Sequence, residues 1–220
     1  MHSTDRPFIP AAGHDFALPL YDPFARLFGV DALRQELIER ANLQPMQRVL
    51  DVGCGTGTLV IAAKRACPEA VVTGVDPDPR ALERACRKAA RAGAGVRFER
   101  AYGDALPFGN AAFAHVFSSL MLHHLDPNAQ QGLIAEVRRV LEPGGSFHLL
   151  DLARTAHGGH VSFRRLHHAG PRPHVQAEQE VRRMLAQAGF SDVTRGAERR
   201  LLWTPLLSYV ARAPDTRAPA

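Results

Sequence analysis

The residues whose chemistry stands out are three well-separated aspartates, a pair of adjacent histidines and a run of alternate glycines. "LDVGCGTGTL" (50–59) places Gly53, Gly55 and Gly57 behind Asp51. Glycine at this density costs backbone entropy and adds nothing to a core, so it marks a place where the backbone turns sharply or approaches something closely. A dinucleotide loop reads GxGxxG. Here the third glycine comes one place early, and Thr58 holds the position that would complete that pattern. Asp76 follows 19 residues after Gly57, at the end of "VVTGVD". A carboxylate at such a strand tip is placed to accept bonds from both hydroxyls of a ribose. Asp104, in "GDALPF", could accept a bond from an exocyclic amine; as a plain alternative it is a solvated turn carboxylate. His123 and His124, in "SSLMLHHL", titrate near neutrality and could take a proton from a substrate hydroxyl, amine or carbon acid. Each is equally read as a helix-starting residue or one bonded to a backbone carbonyl.

These residues need elements to hold them. "QRVLDVG" (47–53) and "AVVTGVD" (70–76) are short apolar runs and read as buried strands. "GVRFER" (95–100), "FAHVFSSL" (113–120) and "SFHLLDL" (146–152) continue the series. Helices are expected between them. One spans 57–66 and is stopped by Pro68. Two more start on the cap-plus-proline pairs Asp78–Pro79 and Asp126–Pro127. "PGG" (143–145) should end the second of these before the fifth strand. Asp31 is expected to cap a helix that puts Leu33, Leu37 and Ala41 on one face. Alternating strands and helices predict an α/β fold, a mostly parallel sheet with helices on both faces. Ligands of such sheets bind at the carboxyl ends of the strands, which is where Asp51, Asp76, Asp104 and Ser119 fall.

The ends and one internal stretch differ. Residues 1–30 hold several prolines and read as an N-terminal arm, with "LPLYDPFARLF" (18–28) apolar enough to pack on something. Residues 153–175 contain His157, His160, His167, His168 and His174 and read as a loop, either a lid over the substrate or a plain surface segment. No cysteine or carboxylate cluster joins these histidines, and no metal site is expected. "QAEQEVRRMLAQAGF" (176–190) reads as a helix, 192–213 as two strands ending in an antiparallel one, Trp203 as a packing or rim residue, and 214–220 as a disordered tail.

The chain of 220 residues is 45% hydrophobic, enough for one full core, and the main domain is expected over 31–213. No apolar run is long enough to span a membrane, and no signal core precedes the domain, so a cytoplasmic protein is the expectation. Cys54, Cys67 and Cys86 are odd in number and show no CxxC spacing, which excludes a disulfide framework. The formal charge is +5, but it comes from 25 arginines spread along the chain beside two lysines. That spread does not predict a nucleic-acid face.

Together "VLDVGCGTG", "GVDPDP", "GDALPF", "LEPGG" and "LAQAGF" resemble the class I S-adenosylmethionine-dependent methyltransferases, in particular the ubiquinone/menaquinone-type small-molecule branch. The resemblance covers roughly 18–213. It implies a Rossmann-like fold with a seven-stranded sheet in the order 3-2-1-4-5-7-6, strand seven antiparallel. It implies S-adenosyl-L-methionine as cofactor, S-adenosyl-L-homocysteine as product, and SN2 transfer to a small-molecule acceptor. By the same resemblance Gly53, Cys54, Gly55 and Gly57 lie along the methionine and ribose parts. Asp51 lies near the amino group, Asp76 with Pro77 at the ribose, and Asp104 with the Ala105 amide at the adenine edge. Ser119 follows strand four, and Tyr21 closes over the cofactor. His123 or His124 would be the base if the acceptor arrives protonated. A homodimer is the assembly entertained. Three rival readings are an RNA, DNA or protein acceptor, a cofactor-sensing protein without turnover, and a nicotinamide dehydrogenase. "SSLMLHH" lacks the (N/D)PPY-like ending suited to planar amines, and the glycine spacing counts against the dehydrogenase.

Overall fold

The computed structural model describes residues 30–152, 173–196, 199–201 and 204–215. Helix α1 (Val30–Ala41) leads into strand β1 (Arg48–Val52), and β1 through the glycine run into α2 (Thr58–Ala66). Then follow β2 (Val71–Asp76), α3 (Pro79–Arg91), β3 (Arg97–Arg100) and β4 (Phe113–Ser119). A one-turn 3₁₀ segment, Leu122–His124, joins β4 to α4 (Pro127–Val140). The chain continues through β5 (Leu141–Leu152), α5 (Pro173–Gln187), β6 (Ser191–Arg195), β7 (Arg199–Leu201) and β8 (Thr204–Arg212).

The sheet runs β3-β2-β1-β4-β5-β8-β6, with β8 antiparallel to β5 and the short β7 added on β8. Leaving β7 aside, this is the order and polarity the sequence resemblance implies. Asp51 pairs with Gly74 on one side and Phe117 on the other, which brings the tips of β1, β2 and β4 level.

Period-two alternation divides the core. Leu50 and Val52 turn to one face, packed with Leu133, Ile134 and Val137 of α4 and Leu185 of α5. Val49, Val72 and Phe117 turn to the other, packed with Leu37 of α1, Val60 of α2 and Leu82 of α3. Both caps read from the sequence form: Asp78 accepts from the Arg80 amide, and Asp126 from the amides of Asn128 and Ala129.

Four expectations are revised. Helix α1 includes Val30, so Asp31 sits inside its first turn and pairs with Arg34 (3.1 Å) instead of capping it. Pro143-Gly144-Gly145 does not precede β5 but lies within it, because the strand begins directly after α4 and absorbs the irregularity as a register shift opposite Phe113–His115. Helix α5 starts at Pro173, three residues earlier than the pattern suggests. Among the described residues the C-terminal region forms three strands, with β7 making a hairpin on β8. Residues 1–29 of the expected arm (1–30) and residues 153–172 of the expected lid (153–175) lie outside the described residues, as do Trp203 and most of the expected tail (214–220).

Candidate functional site

A cavity of about 520 Å³ opens at the carboxyl ends of β1, β2 and β4 and is bounded by the segment after β3. Its floor is the glycine run. Gly53 has φ +73, a left-handed backbone that L side chains avoid, and a Cβ there would run into the Met121 side chain. The amides of this run are already used. Gly53 and Cys54 both donate to the Val75 carbonyl (2.9 Å each), Gly55 donates to Asp76 Oδ2 (2.8 Å), and Gly57 to the Cys54 carbonyl (2.9 Å). A phosphate cradle needs such amides free to point at the anion. The loop is therefore a tightly folded floor rather than a pyrophosphate grip, in keeping with the early third glycine.

Asp76 is 7% exposed and is held by two amides, Gly55 on Oδ2 and Asp78 on Oδ1 (2.9 Å). Burial pushes its pKa up to about 6 against those two hydrogen bonds. A carboxylate oxygen accepts more than one hydrogen bond, so this fixed group can still receive hydroxyls from the cavity side. Asp51 is 2% exposed, and its Oδ1 has no hydrogen-bond partner among the described residues. Burial raises its pKa to about 8; the Arg34 guanidinium pulls it down and Asp76 adds a smaller upward push. A buried, unpartnered carboxyl oxygen is costly unless a ligand pairs with it.

Several cavity-lining side chains were not assigned to the site from the sequence. Arg34 of α1 is 6% exposed, lines the cavity, and donates from Nε to Ser119 Oγ (3.3 Å). Its place on the inward face of an otherwise apolar helix stripe is the signal that was there to find. Leu120, Met121 and Leu125 form an apolar wall. Leu120 adopts φ +57 while its amide donates to the Leu150 carbonyl (2.7 Å), and this turns the chain sharply from β4 into the 3₁₀ segment. Thr56, Thr58, Tyr102 and Asp126 also line the cavity.

The residues singled out by sequence divide clearly. Asp51, Gly53, Cys54, Gly55, Asp76, Pro77, Asp104, Ser119 and His124 all line the cavity. Gly57 and Ala105 do not. A Cβ at Gly57 would strike Phe98 and Ala85, so that glycine serves the close packing of α2 on α3 and β3. Ala105 is taken up in a bridge with Tyr102. Tyr21 lies outside the described residues. The two histidines part company. His123 lies behind the cavity, where its amide donates to Asp151 Oδ2 (2.9 Å) and its Nδ1 bonds Asp151 Oδ1 (2.5 Å). His124 faces the cavity, its ring centroid 4.0 Å from that of His123. Burial of Cys54, with the charges of Asp51 and Asp76, pushes its thiol pKa well up, so it is a packed small residue rather than a nucleophile.

Comparison with known proteins agrees with this geometry. Residues 49–145 match the family described as "Methyltransferase domain". An uncharacterized methyltransferase of Synechocystis is 36% identical over 126 residues, 57% of this chain and 57% of the relative. A demethylmenaquinone methyltransferase of Thermus thermophilus is 36% identical over 136 residues, 60% of this chain and 61% of the relative. The chain thus spans 57% and 61% of the lengths of these curated relatives. Among solved structures, the YcgJ protein of Bacillus subtilis superposes with a TM-score of 0.68 at 19% identity, covering 83% of this chain and 99% of that one. The [4+2]-cyclase SpnF superposes at 0.63 with 21% identity, covering 84% of this chain and 80% of that one. At these identities the structural likeness establishes the Rossmann-like fold alone.

Proposed function

We propose that the protein, whose residues 49–145 match the methyltransferase-domain family, transfers a methyl group from S-adenosyl-L-methionine to a small-molecule acceptor. The observation that carries the reading is the cavity at the strand tips, where Asp76, Asp104, Asp51 and Arg34 converge on a floor of backbone. The donor set fits the cofactor on its own chemistry. Asp76 suits a ribose diol and Asp104 a base amine. The buried Asp51 carboxyl, short of a partner at Oδ1, suits an ammonium, with the Arg34 cation beside it. Once bound, the cofactor supplies a methyl already activated on a sulfonium.

The chain's own work is then alignment and exclusion of water. Asp76, fixed by two amides, sets the ribose, and the glycine floor lets the ligand lie against backbone. Leu120, Met121 and Leu125 keep the transfer path dry. His124 is the side chain placed to take a proton from an incoming acceptor, while His123 is spent on Asp151. The apolar wall suits an apolar acceptor, such as the demethylmenaquinone for which the Thermus relative is named. A small-molecule acceptor is preferred to nucleic acid because the arginines are spread along the sequence instead of falling in runs.

Calorimetric titration with S-adenosylhomocysteine should show saturable one-site binding, and no binding at about millimolar ligand overturns the reading. Because a [4+2]-cyclase shares the fold, turnover needs its own test. S-adenosylhomocysteine should form from S-adenosylmethionine when a small-molecule metabolite extract is added. Binding without any such product would favour a cofactor-sensing protein.

A further inference from the structure

Helix α4 carries a glycine, Gly132, in its second turn, a position where glycine is the poorest helix former after proline. Its φ is not in the left-handed range, so conformational freedom is not the reason. Space is. A Cβ at residue 132 would lie 3.1 Å from the Cβ of Asp104, inside the roughly 3.5–4.0 Å of an ordinary carbon contact. The facing residue repeats the pattern: a Cβ at Gly103 would come 2.6 Å from Leu133 Cδ1. Two glycines, one on the helix and one on the loop, let the loop press flat on α4 where Asp104 enters the cavity.

Further along the same helix, Glu136 and Arg139 clamp the rest of that loop. Glu136 Oε2 accepts from the Leu106 amide (2.8 Å). Arg139 donates to the carbonyls of Leu106 (3.1 Å) and Phe108 (2.7 Å) and to Asn110 Oδ1 (3.0 Å). The two side chains bond each other at 2.6 and 2.7 Å, and Arg139 holds the Glu136 carboxyl below its ordinary range. Neither side chain lines the cavity, and neither does Gly132. Asp104 does.

We infer that Gly132, with the Glu136–Arg139 clamp, is a positioning device that sets how deep Asp104 reaches into the cavity, and thereby sets selectivity for the base of the nucleoside ligand. This rests on the proposed role of Asp104 at the base amine. A methyl added at residue 132 pushes Asp104 outward by a few tenths of an ångström and lengthens its hydrogen bond to that amine.

The test is calorimetry with S-adenosylhomocysteine and with its inosine analogue, in which a carbonyl oxygen replaces the exocyclic amine. The wild type should prefer the adenine compound. Gly132→Ala should melt no lower than wild type, since alanine favours the helix. It should bind S-adenosylhomocysteine about tenfold more weakly and lose much of its preference over the inosine analogue. Arg139→Ala should narrow the same preference by releasing the loop, and Arg139→Lys should restore it only in part. A Gly132→Ala protein that keeps both affinity and preference overturns the inference and leaves the proposed function standing. A wild type that binds both compounds equally overturns it through Asp104. A wild type that binds neither overturns the proposed function as well. If Gly132→Ala does not fold, Arg139→Ala decides, and an unchanged preference there overturns the inference.

Discussion

Replacing His148 with phenylalanine should remove about 2 kcal/mol of acid sensitivity from the fold between about pH 8 and about pH 5. His148 is 1% exposed in the middle of β5. Its Nε2 is hydrogen-bonded to Ser146 Oγ (2.8 Å), which also bonds His115 Nδ1 (2.8 Å), and His115 Nε2 reaches Gln47 Oε1 (3.1 Å). The other ring nitrogen, Nδ1, has no partner among the described residues, and the ring stacks on Phe117 at 4.8 Å. Burial, with the charges of His115, Arg40 and Arg212, lowers the pKa of His148 to about 3. Burial and Arg212 lower that of His115 to about 4. An unfolded histidine titrates near 6.5. Below that pH the unfolded chain takes up a proton that the folded protein refuses. The stability is therefore fully present above about 6.5 and is lost as pH falls toward the folded pKa. For His148 at about pH 5 the loss integrates to about 2 kcal/mol, and it approaches about 5 below pH 3.

Asp51 and Asp76 work in the opposite direction. Their folded pKa values are raised to about 8 and about 6, so they favour the fold as pH falls from those values toward the usual carboxylate range. The wild-type curve alone therefore mixes the two effects, and the difference between proteins isolates the histidine. Phenylalanine keeps the ring stack on Phe117 and leaves Ser146 bonded to His115. Urea unfolding of both proteins at the two pH values gives the double difference. If the two proteins lose equal stability on acidification, His148 is not held neutral by burial and the reasoning fails.

Two further outcomes follow from the site. Asp76→Ala should weaken S-adenosylhomocysteine binding by about 1–3 kcal/mol by calorimetry, the range of a lost hydrogen bond to a charged group. It should also lower the melting temperature, because the Gly55 and Asp78 amides lose their acceptor. Gly53→Ala and Gly55→Ala should differ although both residues have left-handed backbones. Gly55 has open space around it and incurs only the backbone cost of about 1–2 kcal/mol, whereas Gly53 also drives a methyl into Met121. Thermal melts should place Gly53→Ala clearly below Gly55→Ala, and equal melting would refute the packing argument.

Much of the architecture was legible because its signals are local. A short apolar run ending in glycine, or an Asp-Pro pair before a helical stripe, acts over a few residues, and β1, β2, α3 and α4 appear where those signals put them. The misses have physical causes too. Pro-Gly-Gly at 143–145 is a turn signal, but pairing with β4 at Leu141 before it and from Ser146 after it, with the Gly145 carbonyl accepting from Ala213, held it inside β5. Strand β7 is three residues long and exists through its pairing with β8, so no periodicity announces it.

In the site, the order of residues along the chain sets which types stand at the strand tips: the alternate glycines, Asp51, Asp76, Asp104 and the histidine pair. Spacing along the chain sets these, because a strand end and the loop after it are neighbours in sequence. The tertiary structure settled where each side chain lies. It turned Gly57 and Ala105 away from the cavity, gave His123 to Asp151 and left His124 on the wall, and brought Arg34 of α1 to Ser119 across 85 positions of sequence. It also placed Gly132 beneath Asp104. Those relations depend on which helix packs on which face and at what distance. That geometry is set by the summed packing of the whole core, and no short stretch of residues encodes it.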